Sequence, residues 1–288
     1  FGLVETAVSL AISPRATIQE RIPLGFQSNQ LFDVWWNGRH YIAKHFLKSD
    51  ELADAPRREF ETLQLLSPLD VAPQPVFYDP DLGPVVIYEF LEGKMWDRTK
   101  PTAVQLHQLA DLWLLLNDVS PVDLWLSRGM ARTMQDVAAM FHTYLQNYET
   151  WAMAHFPSGL TGVRHCWAML ERLPAILDSF AQLPEPTLLF CRSDPRFANV
   201  IQRLDGRLAL VDWEDSGLRD PARDVADLLT HPNQEDLLSE AEWEAFVRPY
   251  TTTRLKTDPH FTERVHHHLA LFPVFWLLGL LNYGVNHF

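Results

Sequence analysis

Two carboxylates and one amide stand in polar loops beside short apolar segments in the second half of the chain. Asn199 follows Asp194 by five positions, and Asp212 comes directly after the apolar run Leu208–Val211. Mg²⁺ is held in proteins by one or two carboxylates together with phosphate oxygens. Phosphoryl transfer also needs a carboxylate that is not committed to the metal and that orients or deprotonates an acceptor hydroxyl. Asp194, Asn199 and Asp212 together supply the groups that a metal–nucleotide site requires.

Charged residues around this set add to the chemistry that it can support. Arg196 lies two positions after Asp194, where a cation could stabilise a γ-phosphate during its transfer. Asp212 also has a simpler interpretation, as the N-cap of a following helix. Glu214 and Asp215 fit a solvated or structural role, or a contact to a second metal ion or a cationic acceptor.

The stretch that contains these residues resembles the aminoglycoside phosphotransferase and choline kinase-like family, which shares the protein kinase fold. The resemblance rests on three motifs, which are Leu189–Asp194 with Asn199 five positions on, Leu210–Glu214, and Gly217–Ala226. It implies that Asp194 is the catalytic base and that Asn199 and Asp212 bind Mg²⁺. It further implies that Asp224 braces the catalytic loop.

The N-terminal third carries further parts of the same resemblance, in the expected order. A kinase-like site needs a cation against the α- and β-phosphates, held by a carboxylate on a helix of the same lobe. Lys44 ends a predicted β-hairpin as the third strand should, and Glu59 on the following helix fits the pairing position. Val86–Gly93 resembles the hinge between the lobes, which implies that the backbone at Glu89 and Leu91 binds adenine.

Three features depart from the family pattern. Arg192-Ser193 precede the catalytic aspartate where the family usually has His-Gly, which implies altered packing of the loop. The expected nucleotide loop Leu24–Gln30 has a single glycine, so Ser28 or Asn29 could assist phosphate binding through its side chain, and a plain β-turn fits the segment equally well. Asn117 stands where many relatives have a histidine, and we interpret it as a structural substitution.

The elements that must position these residues change character near residue 91. Before it, the pattern predicts mostly short strands, with a hairpin turn at Asn37-Gly38. One helix is predicted at about Asp50–Leu66, because its apolar residues fall near one face. The predicted strands are Ile22–Phe26, Leu31–Trp36, His40–Phe46, Val76–Tyr78 and Pro84–Glu89.

After Gly93 the pattern predicts mostly helices, interrupted once by a β-loop at Thr187–Trp213 in which Asp205-Gly206 forms a hairpin turn. No internal repeat or low-complexity tract breaks this order in the sequence. The predicted helices are Thr102–Asp118, Thr133–His155, Gly162–Gln182, Pro221–Leu229, Ala241–Tyr250 and a long C-terminal helix.

This order of elements indicates an α+β protein with the bilobal protein kinase-like fold. We expect a small antiparallel-sheet lobe with one helix, residues 1–91, and a larger, mainly helical lobe, residues 92–288. The hinge is expected at about residues 88–93. Ligand clefts tend to form at such lobe boundaries, and the resemblance implies that this one holds ATP and Mg²⁺.

The composition excludes several classes of protein. With 47% hydrophobic and 21% charged residues, the chain lies in the ordinary globular range. Its net charge of −13 repels a phosphate backbone, which argues against a nucleic acid partner and favours a cationic small substrate. The apolar run Leu269–Leu281 is too short for a membrane span. Cys166 and Cys191 have no metal-type spacing, which indicates a reducing compartment and a cytoplasmic location.

The resemblance implies an enzyme, an ATP-dependent phosphotransferase that acts on a hydroxyl of a small molecule, as a monomer or homodimer. The acceptor stays open between an amino alcohol, an aminoglycoside, a sugar and a hydroxy amino acid. A second hypothesis, motivated by Arg192-Ser193 and the glycine-poor loop, is a kinase-like protein that binds nucleotide or a partner without turnover. A metal-dependent hydrolase built on Asp212 and Glu214 is disfavoured, because such enzymes usually carry the nucleophilic aspartate on an early strand.

Overall fold

The structure is a computed structural model that describes residues 1–22, 29–47, 54–119 and 134–287. The chain divides into two compact units. The described parts of unit 1 come from Phe1–Thr99 and Phe197–Ser216, and those of unit 2 come from Lys100–Ser120, Leu124–Arg196 and Gly217–Phe288. Phe197–Ser216 therefore packs with the N-terminal part of the chain. The division into lobes at residues 88–93 stays a prediction.

The elements of the described chain are numbered in chain order. The helices are α1 (Gly2–Ala11), α2 (Ala55–Leu66), α3 (Ala103–Asn117), α4 (Met134–His155), α5 (Leu160–Leu170), α6 (Leu173–Ala181), α7 (Pro221–Thr230), α8 (Glu240–Arg254) and α9 (Phe261–His287). The strands are β1 (Thr17–Glu20), β2 (Asn29–Trp36), β3 (Arg39–Phe46), β4 (Pro75–Tyr78), β5 (Val85–Glu89), β6 (Gly93–Met95), β7 (Leu189–Cys191), β8 (Val200–Arg203), β9 (Leu208–Leu210) and β10 (Gly217–Arg219).

Unit 1 is built on a five-stranded antiparallel sheet in the order β1-β2-β3-β5-β4. The turn between β2 and β3 is Asn37-Gly38, and both residues have positive φ, 49° and 75°. A two-residue turn with positive φ at both positions matches the twist of the strands, and Asn-Gly is its preferred sequence. The predicted hairpin is therefore confirmed, and it places β3 between β2 and β5 in the middle of the sheet.

Helix α1 packs against β3, β4 and β5 of this sheet, where the sequence pattern predicts no helix. Val4, Ala7 and Val8 are buried at the spacing of one helix face, and they share a core with Phe32 and Val34 of β2. A short apolar stretch of this kind cannot be assigned to helix or strand from periodicity alone. The neighbouring sheet decides in favour of the helix, because α1 covers its apolar face.

Two further predicted elements of this unit differ from the structure at their boundaries. The predicted strand Ile22–Phe26 is not formed at Ile22, and residues 23–26 lie outside the described residues. The strand that borders β2 at this edge of the sheet is instead β1, which pairs antiparallel with β2. The predicted helix from Asp50 appears as α2, which begins at Ala55 with a proline in its first turn, while residues 50–53 lie outside the described residues.

A second sheet of unit 1 has three strands in the order β6-β8-β9. β8 and β9 are joined through the predicted turn at Asp205-Gly206, with Gly206 at φ 84°. β6 begins at Gly93, where an added Cβ would lie 2.4 Å from the carbonyl oxygen of Gln202. β6 is a strand that the sequence pattern does not predict, and the bare glycine backbone allows this segment to pair with β8.

Unit 2 is mainly helical, and β7 pairs with β10 in a two-stranded antiparallel sheet. β10 is a further strand that the sequence pattern does not predict. The predicted helix Gly162–Gln182 is wrong as a single element, because the chain forms α5 and then α6. Pro174 lies in the first turn of α6, and proline has no backbone N–H with which to continue the preceding helix.

The C-terminal helix α9 is 27 residues long and contains the apolar run Leu269–Leu281. The run is short, but the helical stretch Phe261–Asn282 around it is long and apolar enough to cross a membrane, by length and composition only, with a mean hydropathy of 1.3. Leu271 and Leu278 are buried in a core that they share with Phe141 of α4. α9 also packs on α6 and α7, as the core helix of a globular unit does.

Candidate active site

Lys44 lies on β3, the central strand of the five-stranded sheet, opposite Leu31 on one side and Val86 on the other. Its side chain is only 4% exposed, whereas a lysine on a strand is usually solvated. Burying an ammonium group is costly unless other charges and hydrogen bonds compensate for the lost water. The groups around its Nζ atom therefore decide what this lysine does.

Three carboxylates surround the Lys44 ammonium within unit 1. The Nζ atom lies 2.5 Å from Glu59 Oε2, 2.5 Å from Asp212 Oδ1 and 3.0 Å from Glu214 Oε2. Glu59 projects from α2, and the other two carboxylates follow β9 in the chain. The structure thus brings together Lys44, Glu59 and Asp212, all expected in one site, and it adds Glu214.

The electrostatics of this cluster keep the lysine charged. Burial lowers the pKa of Lys44, but the negative charge of Asp212, followed by those of the two glutamates, outweighs burial and holds it well above its ordinary value. Burial raises the pKa of Glu59 to about 7, although the charge of Lys44 opposes this change. The cluster therefore contains a permanent cation and one carboxyl group that titrates near neutral pH.

The β8–β9 hairpin sets the positions of the two predicted metal ligands. Val211 donates its N–H to the carbonyl of Asn199 at 3.0 Å, so Asn199 and Asp212 stand at the same end of this hairpin. Asp212 has a φ of 69°, a conformation that aspartate tolerates better than most residues. A strand, and not a helix, is the next element after Asp212, so its interpretation as a helix N-cap is wrong.

The donor set of the cluster suits a hard divalent cation. Glu59, Asp212 and Glu214 each offer a carboxylate oxygen, and these atoms lie within 4.8 Å of one another. Mg²⁺ prefers oxygen ligands, and three carboxylates against one ammonium leave an excess of negative charge when all are ionised. The residues present therefore fit Mg²⁺. Asn199 and Asp212 stay the predicted ligands.

Part of the predicted nucleotide loop belongs to the described chain. Asn29 begins β2 and donates from Nδ2 to Glu214 Oε2 at 2.8 Å. Ser28 lies outside the described residues, so its expected role in phosphate binding stays a prediction. The contact of Asn29 ties the end of this loop to the carboxylate cluster.

The backbone of the predicted hinge is partly committed to the sheet. The N–H of Glu89 donates to the carbonyl of Gln74 at 2.8 Å, and the N–H of Phe90 also donates within the unit. Within the described part of the chain, the N–H of Leu91 makes no backbone hydrogen bond. Of the two positions expected to bind adenine, Leu91 can therefore offer its N–H, while Glu89 can offer its carbonyl.

Asp194 lies in unit 2, in the loop that follows β7, with its side chain 23% exposed. Nε of Arg196 lies 2.9 Å from Oδ2 of Asp194, and Nε2 of His231 lies 3.5 Å from its Oδ1. Gln234 donates from Nε2 to the carbonyl of Pro195 at 3.0 Å. The carboxylate is therefore held by its own loop on one oxygen and by the segment after α7 on the other.

These neighbours determine the protonation state of Asp194. Burial alone would raise its pKa, but hydrogen bonding to His231 and the positive charges of the two neighbouring arginines lower the pKa below its ordinary value. The carboxylate is therefore ionised at neutral pH. An ionised carboxylate of low basicity is better suited to orient a hydroxyl than to remove its proton early in a reaction.

Asp224 on α7 holds the loop that carries Asp194. Its Oδ2 accepts hydrogen bonds from the backbone N–H groups of Arg192, at 3.0 Å, and Ser193, at 3.3 Å. Its Oδ1 lies 2.6 Å from Nη1 of Arg219. These contacts are the ones that a brace of the catalytic loop would make.

Arg192 and Ser193 have opposite effects on the stability of this loop. Ser193 has a φ of 75°, which glycine adopts freely and other residues adopt at a cost. Its buried Oγ has no hydrogen-bond partner among the described residues. Arg192 donates from Nε to the carbonyl of Asp194 at 2.9 Å. The arginine therefore stabilises the loop from within, while the serine strains it.

Asn117, at the end of α3, has a structural role, as interpreted from the sequence. It is buried, donates from Nδ2 to the carbonyl of Phe190 at 3.0 Å, and accepts a hydrogen bond from the hydroxyl of Tyr250. These contacts connect α3 to β7 and to α8. Asn117 thereby supports the strand that leads into the Asp194 loop.

Some residues of the site are not identified by sequence reasoning. Glu214 stayed undecided there, between a solvated or structural role and a contact to a second metal ion or a cationic acceptor. His231 and Gln234 have no motif-type spacing from Asp194. Both residues lie just after α7, and the tertiary structure alone brings this segment to the Asp194 loop.

The comparison with protein families gives a match over most of the chain. Residues 19–264 match the model of a family described as the phosphotransferase enzyme family. Among curated proteins, none matches this chain significantly by sequence.

Solved structures show the fold. The choline kinase LicA from Streptococcus pneumoniae is 19% identical, with a TM-score of 0.66 over 100% of this chain and 92% of that one. A choline/ethanolamine kinase family protein from Mesorhizobium loti is 20% identical, with a TM-score of 0.65 over 98% of this chain and 87% of that one. The ADP-bound aminoglycoside phosphotransferase APH(2'')-Ib is 14% identical, with a TM-score of 0.65 over 99% and 91%. These likenesses confirm the expected α+β protein kinase-like fold.

Proposed function

Because the chain belongs to the phosphotransferase enzyme family, we propose that it is an ATP-dependent phosphotransferase that transfers the γ-phosphate to a hydroxyl of a small molecule. The observation that carries the proposal is the buried Lys44 ammonium, which lies 2.5 Å from both Glu59 and Asp212. A kinase-like site needs this arrangement, since a carboxylate on a helix holds the phosphate-binding lysine and a second carboxylate lies within reach of the metal.

The proposal assigns nucleotide binding to groups of unit 1. Lys44 binds the α- and β-phosphates, Ser28 assists, and the backbone of Glu89 and Leu91 binds adenine. Two similar structures contain nucleotides, since LicA was solved in complex with AMP and APH(2'')-Ib with ADP bound. Nucleotide binding by this chain is therefore consistent with what the fold does elsewhere.

Mg²⁺ is the second cofactor in the proposal, held by Asn199 and Asp212. When bound, the ion would neutralise charge on the phosphates and keep them in a fixed geometry. The residues of this chain fit that role because the carboxylates around Lys44 converge within 4.8 Å. Glu214 adds a further oxygen donor beside Asp212.

Asp194 and Arg196 of unit 2 are the catalytic groups of the proposal. The acceptor oxygen forms a bond to the γ-phosphorus while the bond from that phosphorus to the β,γ-bridging oxygen breaks, which leaves ADP. The hydroxyl proton passes to Asp194. Because the low pKa of Asp194 makes it a weak base, its main contribution is to orient the hydroxyl, and Arg196 stabilises the charge on the transferred group.

The acceptor class follows from charge and from the named relatives. The net charge of −13 favours a cationic molecule over an anionic one. The similar structures are titled choline kinase, choline/ethanolamine kinase family protein and aminoglycoside phosphotransferase. We therefore rank amino alcohols and aminoglycosides ahead of sugars and hydroxy amino acids. The proposed setting is the cytoplasm, as a monomer or homodimer.

A kinase-like protein that binds nucleotide without turnover is the second candidate. The observation in its favour is Ser193, next to the proposed base, which has φ 75° and a buried hydroxyl that finds no hydrogen-bond partner in the described part of the chain. Against it stands the presence of Asp194 together with Lys44, Glu59, Asn199 and Asp212, because nucleotide binding alone needs no carboxylate that orients an acceptor hydroxyl.

The experiment measures ADP and phosphorylated product after incubation with ATP, Mg²⁺ and a panel of the four acceptor classes. Asp194→Asn is compared with wild type and with Asp205→Asn. Asp205 is a matched control, because it also pairs with an arginine two positions on: Nε of Arg207 lies 2.8 Å from its Oδ2. The corresponding pair of Asp194 is with Arg196, whereas Asp205 lies on an exposed turn. We expect Asp194→Asn to lower kcat by about 10²–10⁴-fold and Asp205→Asn to leave it unchanged.

Two results would contradict the enzyme proposal. One is equal product formation by wild type and Asp194→Asn. The other is a wild-type protein that binds ATP but phosphorylates no member of the panel, a result that would favour the second candidate.

A further inference from the structure

His231 is a buried polar residue of unit 2 to which the proposed reaction assigns no role. We infer that His231, together with Gln234, is a positioning residue that holds the Asp194 carboxylate in the orientation that aligns the acceptor hydroxyl. The inference rests on the proposed function, because it concerns the carboxylate that acts there. It goes beyond that function by placing a structural requirement on a segment far from the catalytic loop in sequence.

The imidazole of His231 faces Asp194 in a fixed orientation. Its Nε2 lies 3.5 Å from Oδ1 of Asp194, and the residue is 3% exposed. The ring packs edge-on against Trp276 of α9, with centroids 4.5 Å apart and an interplanar angle of 64°. This packing restricts rotation of the imidazole, so its nitrogen stays directed at the carboxylate. The distance is long for a hydrogen bond, and such contacts often shorten when substrate binds.

The backbone around His231 selects the tautomer that can donate to Asp194. The N–H of Asn233 donates to Nδ1 of His231 at 3.3 Å. A ring nitrogen that accepts a hydrogen bond carries no proton, so the proton of the neutral imidazole is on Nε2. Nε2 is the atom that faces Asp194. The histidine is therefore arranged as a donor to the carboxylate while it is neutral.

Gln234 makes a second contact from the same turn to the same loop. Its Nε2 donates to the carbonyl of Pro195 at 3.0 Å and to the carbonyl of Leu228 in α7 at 2.9 Å. Its own N–H donates to the carbonyl of His231 at 3.0 Å, which closes the turn. The turn therefore fixes the loop at two adjacent residues, through the backbone at Pro195 and the side chain at Asp194.

The contact from His231 restricts the orientation of the Asp194 carboxylate in a way that the contact from Arg196 does not. Arg196 contacts Oδ2 of Asp194 from within the same loop, so the two residues can move together. His231 contacts the other oxygen from a different element and therefore fixes the plane of the carboxylate relative to the rest of unit 2. Displacing a catalytic group by about 1 Å can reduce the rate about 10²-fold, so the loss of this contact should appear in kcat.

The test compares His231→Leu with His231→Gln in the full-length protein, using the acceptor that gives turnover. We expect the leucine variant to lose about 10- to 100-fold in kcat while KM for ATP changes by less than about twofold. Glutamine can place its Nε2 amide near the position of the imidazole Nε2, so we expect it to recover most of the lost activity. A role in packing alone would not distinguish the two variants in this way.

A matched control separates positioning from stability. His268 is also buried in unit 2 and also faces an aspartate, since its Nε2 lies 3.3 Å from Oδ2 of Asp220. We expect His268→Gln to lower the melting temperature but to leave kcat of the folded protein within about twofold of wild type. An equal loss of kcat in His268→Gln and His231→Leu would overturn the inference.

Nuclear magnetic resonance of ¹⁵N-histidine-labelled protein tests the geometry without any acceptor. We expect His231, assigned with the His231→Gln variant, to be the Nε2–H tautomer and to shift when Asp194 is changed to asparagine. An Nδ1–H tautomer, or no response to Asp194→Asn, would overturn the inference even if the leucine variant fails to fold. The resonance of His231 can be measured in a protein without transfer activity, so a failure of the proposed function can be distinguished from a failure of this inference.

Discussion

Nζ of Lys44 and Oδ1 of Asp212 lie 2.5 Å apart, although 168 positions separate the two residues in the chain. The contact joins the central strand of the five-stranded sheet to the end of the β8–β9 hairpin within unit 1. The group proposed to hold the phosphates and the group proposed to hold the metal are therefore one ionic cluster. A change in the charge of either residue should affect both functions.

The first prediction concerns the cation of this cluster. Lys44→Met leaves three carboxylates close together without their shared partner, and breaking a buried pair in this way typically costs about 3–5 kcal/mol. We expect a lower melting temperature and at least about 10²-fold weaker ATP binding, measured by calorimetry. Lys94→Met on β6 is the control, because Lys94 is exposed, and it should change neither quantity. ATP binding that survives Lys44→Met would exclude Lys44 from the nucleotide site.

The second prediction concerns the pH dependence of stability. The pKa of Glu59 is raised from 4.5 to about 7 in the folded protein, so between these values the folded state binds more protons at this group than the unfolded state does. The contribution of Glu59 to the free energy of unfolding therefore falls as pH rises from about 4.5 to about 7. In Glu59→Gln this contribution to the pH dependence of the free energy of unfolding should disappear.

Urea unfolding at pH 5, 6, 7 and 8 measures the difference between wild type and Glu59→Gln. Glu61→Gln is the control, because Glu61 lies on the same helix with its side chain 43% exposed, and it should retain the wild-type slope. A Glu59→Gln profile parallel to that of wild type throughout this range would contradict the raised pKa.

The third prediction concerns Ser193, the strained residue beside Asp194. A left-handed conformation costs a residue other than glycine about 1–2 kcal/mol, and glycine costs about 0.5–1 kcal/mol in conformational entropy. Ser193→Gly should therefore stabilise the protein by a few tenths of a kcal/mol up to about 1 kcal/mol. Thermal and urea unfolding measure this change.

Ser179→Gly provides a control of opposite sign, because Ser179 lies inside helix α6. Glycine in a helix interior costs up to about 1 kcal/mol relative to alanine, so this variant should be destabilised. If Ser193→Gly were destabilised to the same degree, the strain at Ser193 would be absent.

The fourth prediction concerns Gly93 at the start of β6. An added Cβ would meet the carbonyl oxygen of Gln202 at 2.4 Å and the side chain of Ile201 at 2.7 Å. Gly93→Ala should therefore cost about 1–3 kcal/mol, as overpacking typically does. On α5, an added Cβ at Gly162 meets no described atom within 4 Å, so Gly162→Ala should be neutral or stabilising. Equal stability of the two variants would show that β6 can move away from β8.

Short-range signals predicted a large part of this protein. Asn37-Gly38 specified the hairpin that brings β3 into the sheet, because its turn type is determined by two adjacent residues. The order of Lys44, Glu59, Asp194, Asn199 and Asp212 indicated the kinase-like fold, which the solved structures confirm. Local reasoning failed where a partner strand or helix decides the outcome, as at α1, β6 and β10. The break between α5 and α6 had a local signal in Pro174, which the apolar periodicity obscured.

The sequence by itself determined which chemical groups are present and in which order they occur. The tertiary structure decided that Lys44 is buried among Glu59, Asp212 and Glu214, and that His231 faces Asp194. The physical reason is that pKa values and side-chain orientations depend on burial and on charges a few ångströms away. Those distances are set by packing between segments far apart in the chain, which no spacing in the sequence encodes.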